Sequence, residues 1–327
     1  MKLLILLKHR FELWQPPDWF SARLREEFPA IEVVHLRDYE RAEEELRDAE
    51  ILIGWSLRGD QFLGAKKLRW IHSTAAAVHA LISPELVASN VVVTNARSVH
   101  APVVAEHAVA LMFALAKRLP SAFAHQGARE WAQTTIWHEH PQPRELAGST
   151  LGMIGYGAIG REVATRAQAL GMKVLAVRRH VTIPSDEHAQ LFGTSDLNHV
   201  LSQSDFVVLA PPLTPETTGM IAEEQFRTMK KDAYLINVGR GALVDETALL
   251  RALESRQIGG AALDVFAQEP LPPESPLWTA PNLVITPHSA GFTNRMWERH
   301  YELFSANLRR YLQGEQLVGL VDPKAGY

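Results

Sequence analysis

Short apolar runs alternate with amphipathic stretches along most of the chain. In the first hundred residues, Leu3 to Leu7, Ile31 to Leu36, Ile51 to Trp55, Leu68 to Ser73 and Val91 to Thr94 read as strands. Between them, Trp19 to Phe28 and Arg41 to Ala49 read as helices, the second with Glu and Arg on its exposed face. This βαβ alternation predicts a parallel sheet with crossover helices. The run Val103 to Lys117 carries Ala and Leu on nearly every face and predicts a buried helix. Residues 119–149, rich in Trp, His and Pro, predict irregular chain. At Leu151 the alternation restarts. Strands are expected at 172–177, 205–209, 233–238, 259–265 and 282–286, separated by helices at 161–170, 195–203, 222–230 and 245–256. A final amphipathic helix, Asn294 to Leu312, ends at Gly314. The expected fold class is therefore α/β, with two doubly wound parallel-sheet halves and no short-period repeat.

Composition narrows the function classes. A length of 327 residues points to two domains. A net charge of −4 offers no general basic surface, so no nucleic-acid partner is expected. The absence of cysteine excludes disulfides, thiolate catalysis and cysteine metal sites, and is compatible with a cytoplasmic location. The opening Met1-Lys-Leu-Leu-Ile-Leu-Leu is too short for a signal peptide and is followed at once by Lys8, His9 and Arg10; it reads as a first strand. No apolar run is read as long enough to span a membrane, and no membrane partner is expected. His138-Glu139-His140 lacks HExxH spacing and sits among prolines, so no metal is expected there.

The stretch Thr150-Leu-Gly-Met-Ile-Gly155-Tyr-Gly157-Ala-Ile-Gly160 reads as strand, glycine turn and helix start. That order suits a dinucleotide pyrophosphate. Gly155 allows the tight turn, Gly157 lets backbone approach the phosphates, and Gly160 lets helix and strand pack closely. Amides at the helix start then face the anion. A lone GxGxxG is a weak signal; here an apolar strand before it and a helix and second strand after it strengthen the reading. An NAD site usually has an acid about 20 residues past the first glycine, bonded to the ribose 2′-hydroxyl. Here the second strand ends in Val177-Arg178-Arg179-His180. Two arginines suit a 2′-phosphate, which favours NADP over NAD. The other reading leaves them as a solvated strand end and folds Asp186 or Glu187 back to the ribose.

Downstream, three residues follow apolar strands: Arg240 in Asn237-Val-Gly-Arg-Gly-Ala-Leu-Val-Asp245, Glu269 in Ala262-Leu-Asp-Val-Phe-Ala-Gln-Glu-Pro270, and His288 in Thr286-Pro-His-Ser-Ala290. Ligands of open α/β sheets bind outside the carboxyl ends of the strands. A guanidinium there can clamp a carboxylate and polarise a carbonyl, and an imidazolium can donate a proton as hydride reaches carbon. A carboxylate beside the imidazole favours its protonated form. Each residue alone has a plain alternative as loop cation, turn cap or backbone-bonded histidine; their joint occurrence at strand ends favours 2-oxo acid reduction.

Together with Pro212-Leu-Thr-Pro-Glu-Thr-Thr218, these segments resemble the D-isomer-specific 2-hydroxyacid dehydrogenases, in particular the glyoxylate and hydroxypyruvate reductase branch. The resemblance covers nearly the whole chain and implies a flavodoxin-like substrate domain, residues 1–98 plus 293–327, with a Rossmann cofactor domain, 99–292, inserted into it. It implies that Arg240 binds the oxo acid, that His288 is the acid of reduction and that Glu269 holds His288. It sets the cofactor against Gly155, Tyr156, Gly157, Ala158, Ile159 and Gly160, and against Pro212, Thr218, Val238 and Asp264, the last at the nicotinamide carboxamide. The substrate carboxylate would meet backbone at Ala76 and Ala77, in a loop lacking the family's usual glycine, with Trp55 and Leu57 lining the substrate side. A homodimer, with Trp131 and Trp137 in its interface arm, is also implied. A phosphite dehydrogenase is the rival within the family, and a dinucleotide-sensing corepressor-like scaffold the rival outside it. With no tail read beyond the segment after Gly314, the enzyme is the expectation.

Overall fold

The computed structural model describes residues 1–9, 11–75, 78 and 80–324. The chain divides into two units, Met1–His100 with Phe292–Tyr327, and Ala101–Gly291. In the first unit, five strands form one parallel sheet: β1 (Lys2–Leu6), β2 (Glu32–Leu36), β3 (Ile51–Ile53), β4 (Trp70–Ser73) and β5 (Val92–Asn95). Their order is β2-β1-β3-β4-β5, the flavodoxin-like order. Side chains of β1 alternate between two cores. Leu3 and Ile5 pack with the helix Asp18–Glu27 and the C-terminal helix Met296–Gln313, through Phe20, Trp297, Tyr301 and Phe304. Leu4 and Leu6 face the opposite core with Leu46, Leu52 and Ile71. Both faces of the sheet are covered, which is why its strands read as continuous apolar runs.

The second unit holds seven parallel strands: β6 (Thr150–Ile154), β7 (Lys173–Val177), β8 (Gln190–Phe192), β9 (Phe206–Leu209), β10 (Tyr234–Asn237), β11 (Gly260–Leu263) and β12 (Leu283–Ile285). They lie in the order β12-β11-β10-β9-β6-β7-β8. This is the Rossmann arrangement with one further strand, and its order reverses between β6 and β9. On one face, Leu151 and Met153 pack against Ala105, Ala108 and Met112 of the helix Arg97–Ala116. On the other, Ile154, Leu209 and Leu235 meet Leu201, Phe226 and Leu249.

Three expectations are corrected. The helix expected from Val103 starts at Arg97 and continues through Pro102; at 20 residues it is long and apolar enough to cross a membrane by length and composition, contrary to the sequence reading. Half of that stretch is buried, and its apolar side is core of the second unit. The segment 119–149 is not wholly irregular: it forms helices Leu119–Ala128 and Gln133–Trp137. Neither helix has a buried residue, so neither leaves an amphipathic pattern in the sequence. The edge strand β8 was not anticipated, because three residues are too few to show a period.

Candidate active site

The candidate residues gather where three neighbouring strands end level. Asn237 of β10 is in register with Leu263 of β11, which is in register with Ile285 of β12. Parallel neighbours lie about 4.8 Å apart, so residues shortly beyond these ends share one small volume. Arg240 follows β10, Asp264 and Glu269 follow β11, and His288 follows β12.

Glycine makes the loops meet. A Cβ on Gly241 would lie 1.8 Å from the Phe266 carbonyl carbon, so only glycine lets the Arg240 loop touch the Phe266 turn. Asn237, fully buried, ties the Arg240 loop from within. Its Nδ2 donates to the Arg240 carbonyl at 2.9 Å and its Oδ1 accepts from the Gly239 N–H at 3.0 Å. Arg240 Nη1 donates to the Gly239 carbonyl at 2.7 Å. Burial pulls the Arg240 guanidinium below its usual range and the Glu269 carboxylate opposes this. An arginine stays charged under both influences.

His288 Nδ1 lies 2.6 Å from Glu269 Oε2. A carboxylate only accepts, so Nδ1 carries a hydrogen and Nε2 is the nitrogen left to exchange a proton. Glu269 is itself held, its Oε1 accepting from the Phe266 N–H at 2.9 Å. The side chains of His288 and Glu269 are 50% and 33% exposed, which leaves the pair open to a ligand. His288 has φ +52°, in the left-handed region that non-glycine residues seldom occupy. Its N–H bonds the carbonyls of Asp264, at 2.8 Å, and Thr286, at 3.0 Å. The Asp264 carboxylate is buried and holds the same loop: Oδ1 accepts from the Thr286 hydroxyl at 2.6 Å and the Ser289 N–H at 2.9 Å, and Oδ2 from the Ala290 N–H at 2.9 Å. The holding roles of Asn237 and Thr286 were not read from the sequence; a polar residue embedded in an apolar strand end was their only signal.

The glycine loop follows β6, at the point where the sheet order reverses. Gly155 has φ +95°, and a Cβ there would lie 2.4 Å from Pro211 N. A Cβ on Gly160 would lie 2.4 Å from the Gly155 carbonyl oxygen. Both glycines are demanded by the protein's own packing. Gly157 differs: a Cβ there meets nothing within 4 Å among the described residues, although it caps the helix Ala158–Ala169. The open space in front of it fits the close approach of a dinucleotide pyrophosphate. Ala158 and Ile159 open that helix. Thr217 and Thr218 shape the loop after β9, their hydroxyls donating to the carbonyls of Pro212 and Thr214 at 2.8 Å each, and Val238 is buried beyond β10.

At the end of β7, Arg178 is half-buried and Arg179 exposed, 4.0 Å from Glu216. Asp186 is already engaged. Its Oδ1 accepts from the Tyr156 hydroxyl and from the N–H groups of His188 and Ala189, each at 2.9 Å. Burial and this carboxylate push the Tyr156 phenol up. In the first unit, Trp55 follows β3 beside the point of reversal between β1 and β3; it packs on the Leu3 and Ile5 core and meets His9 edge-on at 5.4 Å. Leu57 is buried in the opposite core. Ala76 and Ala77 lie outside the described residues. Glu139 of the His138-Glu139-His140 segment accepts from Arg118 Nε at 2.5 Å and from the Ser121 hydroxyl. Among the described residues, no group of three His, Asp or Glu side chains is arranged to hold a metal ion.

Residues 109–290 match the family described as D-isomer specific 2-hydroxyacid dehydrogenase, NAD binding domain. The chain belongs to this family. The chain is similar to a glycerate dehydrogenase of Methylorubrum extorquens, 39% identical over 83% of this chain and 85% of that one. It is also similar to a glyoxylate reductase of Korarchaeum cryptofilum, 35% identical over 85% and 84% of the two chains. Among solved structures it resembles an NADPH-dependent glyoxylate/hydroxypyruvate reductase of Sinorhizobium meliloti in complex with NADP and sulfate. There the TM-score is 0.81, with 29% identity over 100% of this chain and 99% of that one. These relatives are dehydrogenases and reductases; none of the three is a scaffold or a phosphite enzyme.

Proposed function

We propose that the protein reduces a small 2-oxo acid to the D-2-hydroxy acid with NADPH, in the manner of a glyoxylate or hydroxypyruvate reductase. The observation that carries this reading is the His288–Glu269 pair at 2.6 Å, formed between the loops after β12 and β11, with Arg240 in the loop after β10 on the other side of β11. Arg240 binds the oxo acid and draws charge toward its carbonyl oxygen, and His288 delivers the proton to that oxygen from Nε2. Glu269 accepts from Nδ1 and so holds the ring with Nε2 as the nitrogen that exchanges the proton. The dinucleotide, when bound on the Gly155–Gly160 loop, supplies the hydride. Pro212, Thr218, Val238 and Asp264 belong to the same cofactor site.

Preference for NADPH is supported by two facts. Arg178 and Arg179 stand at the end of β7, and Asp186, one of the two acids read as ribose partners, accepts three donors on Oδ1 and faces Arg161 at 3.6 Å through Oδ2. The first unit is read as the substrate domain, with Trp55 on its substrate side. The exposed Trp131, Trp137 and Phe123, at 92%, 56% and 63%, support a homodimer built on the segment they occupy.

The test is the rate of NADPH and NADH oxidation by purified protein with glyoxylate, hydroxypyruvate, pyruvate and a bulkier 2-oxo acid. Faster turnover with NADPH is expected. Faster turnover with NADH would overturn the cofactor preference alone, and no turnover of any 2-oxo acid would overturn the reductase reading.

A further inference from the structure

The helix Arg97–Ala116 is apolar on most of its surface, yet His107 lies on it and is only partly exposed. Its Nε2 lies 3.1 Å from the Thr286 hydroxyl oxygen and 3.6 Å from Asp264 Oδ1. We infer that His107 is a positioning residue for His288, acting through Thr286 and Asp264. This inference rests on the reading of His288 as the proton donor.

Hydrogen placement gives the chain a direction. The Thr286 hydroxyl has one proton, and its 2.6 Å contact to Asp264 Oδ1 takes it, because a carboxylate only accepts. Toward His107 the same oxygen must therefore accept, so Nε2 of His107 carries a hydrogen. Burial lowers the His107 imidazole below its usual value, against the raising influence of Asp264. The neutral ring with hydrogen on Nε2 thus points the Thr286 proton at Asp264. Asp264 in turn gathers the Ser289 and Ala290 amides through its carboxylate and the His288 amide through its carbonyl. These bonds hold His288 at φ +52°, a backbone position that the loop would leave if its donors turned elsewhere. Without His107 the Thr286 hydroxyl keeps its bond to Asp264 but loses the donor on its other side, and the loop that carries His288 is held less finely against a substrate. A misplacement near 1 Å is enough to slow chemistry on the order of a hundredfold.

The experiment compares His107→Leu, His107→Gln, Thr286→Val and His288→Asn in the full-length protein with NADPH and the best 2-oxo acid. His107→Leu is expected to lower kcat by about tenfold or more, with KM for the oxo acid within about twofold and NADPH binding unchanged. Its solvent deuterium isotope effect on kcat should rise, because proton delivery becomes slower. His107→Gln, whose amide can donate from nearly the same place, should restore most of kcat. Thr286→Val should give a similar loss, not additive with His107→Leu. If His107→Leu does not fold, Thr286→Val and His107→Gln carry the same test. If His288→Asn abolishes turnover while His107→Leu and Thr286→Val stay within twofold of the parent, this inference fails and the reading of His288 stands. If His288→Asn turns over normally, the reading of His288 itself fails.

Discussion

Lowering the pH from 7 to 5 should destabilise the first unit, and His72 alone should account for about 2 kcal/mol of that loss. His72 lies on β4, only 1% exposed. Its Nδ1 is 2.9 Å from the Thr94 hydroxyl, which also accepts from Trp70 Nε1 at 2.9 Å, and its Nε2 has no hydrogen-bond partner among the described residues. Burial pushes its pKa from 6.5 down to about 3. Between those two values the unfolded chain binds a proton at this position and the folded chain does not. Stability therefore falls as pH drops below 6.5 and continues falling toward 3. At pH 5 the unfolded imidazole is roughly 1.5 units below its pKa; at about 1.4 kcal/mol per unit this gives about 2 kcal/mol. His300 is also held well below its usual value, chiefly by burial, and adds to the loss in the parent protein. Urea unfolding of the parent and His72→Gln should be followed at pH 7 and pH 5, by tryptophan fluorescence. Trp70, stacked on Phe304 at 5.1 Å, reports on this core. The quantity to compare is the pH-dependent loss in each protein, and the variant should lose about 2 kcal/mol less. Equal losses in the two proteins would refute a neutral, proton-excluding His72.

Three further outcomes are expected. Glu269→Gln should lower kcat by about a hundredfold with little change in NADPH binding, measured by steady-state kinetics and fluorescence titration, because it removes the charge but not the bulk beside His288. Replacing Arg178 and Arg179 together by Ala should raise KM for NADPH by about tenfold or more while moving KM for NADH little. Gly157→Ala should leave thermal stability within about 0.5 kcal/mol but weaken NADPH binding, whereas Gly160→Ala, whose Cβ would lie 2.4 Å from the Gly155 carbonyl oxygen, should destabilise the fold by about 1–3 kcal/mol.

What the sequence makes legible here is local. The glycine loop, the strand ends bearing Arg240 and His288 and the amphipathic C-terminal helix each announce themselves within about a dozen residues, because turn chemistry and periodicity are short-range signals. The supports of the site are not local. Asp264 collects donors 22, 25 and 26 positions further along the chain, and His107 meets Thr286 across 179 positions. Such pairings become visible only once the strand order is known. The exposed helices at 119–128 and 133–137 were missed for a different reason, since neither buries a face that could leave a period.

The strand order also explains why these supports are needed. Adjacency of β10, β11 and β12 brings Arg240, Glu269 and His288 into one neighbourhood, but level strand ends fix position only to the spacing of strands, about 4.8 Å. Proton transfer needs placement several times finer. The remaining precision must come from the loops, and each loop carries a device for it. Gly241 permits backbone contact with Phe266, Asn237 ties the Arg240 turn, the Phe266 amide holds Glu269, and Asp264 binds both ends of the His288 turn. All four act at β10, β11 and β12, where the proposed reaction needs fine placement. At the glycine loop, where the proposed cofactor's pyrophosphate would meet backbone amides, the space before Gly157 is instead left open by the described residues. The unit is thus closely tied where the proposed reaction would aim a proton and open where the proposed cofactor would be admitted.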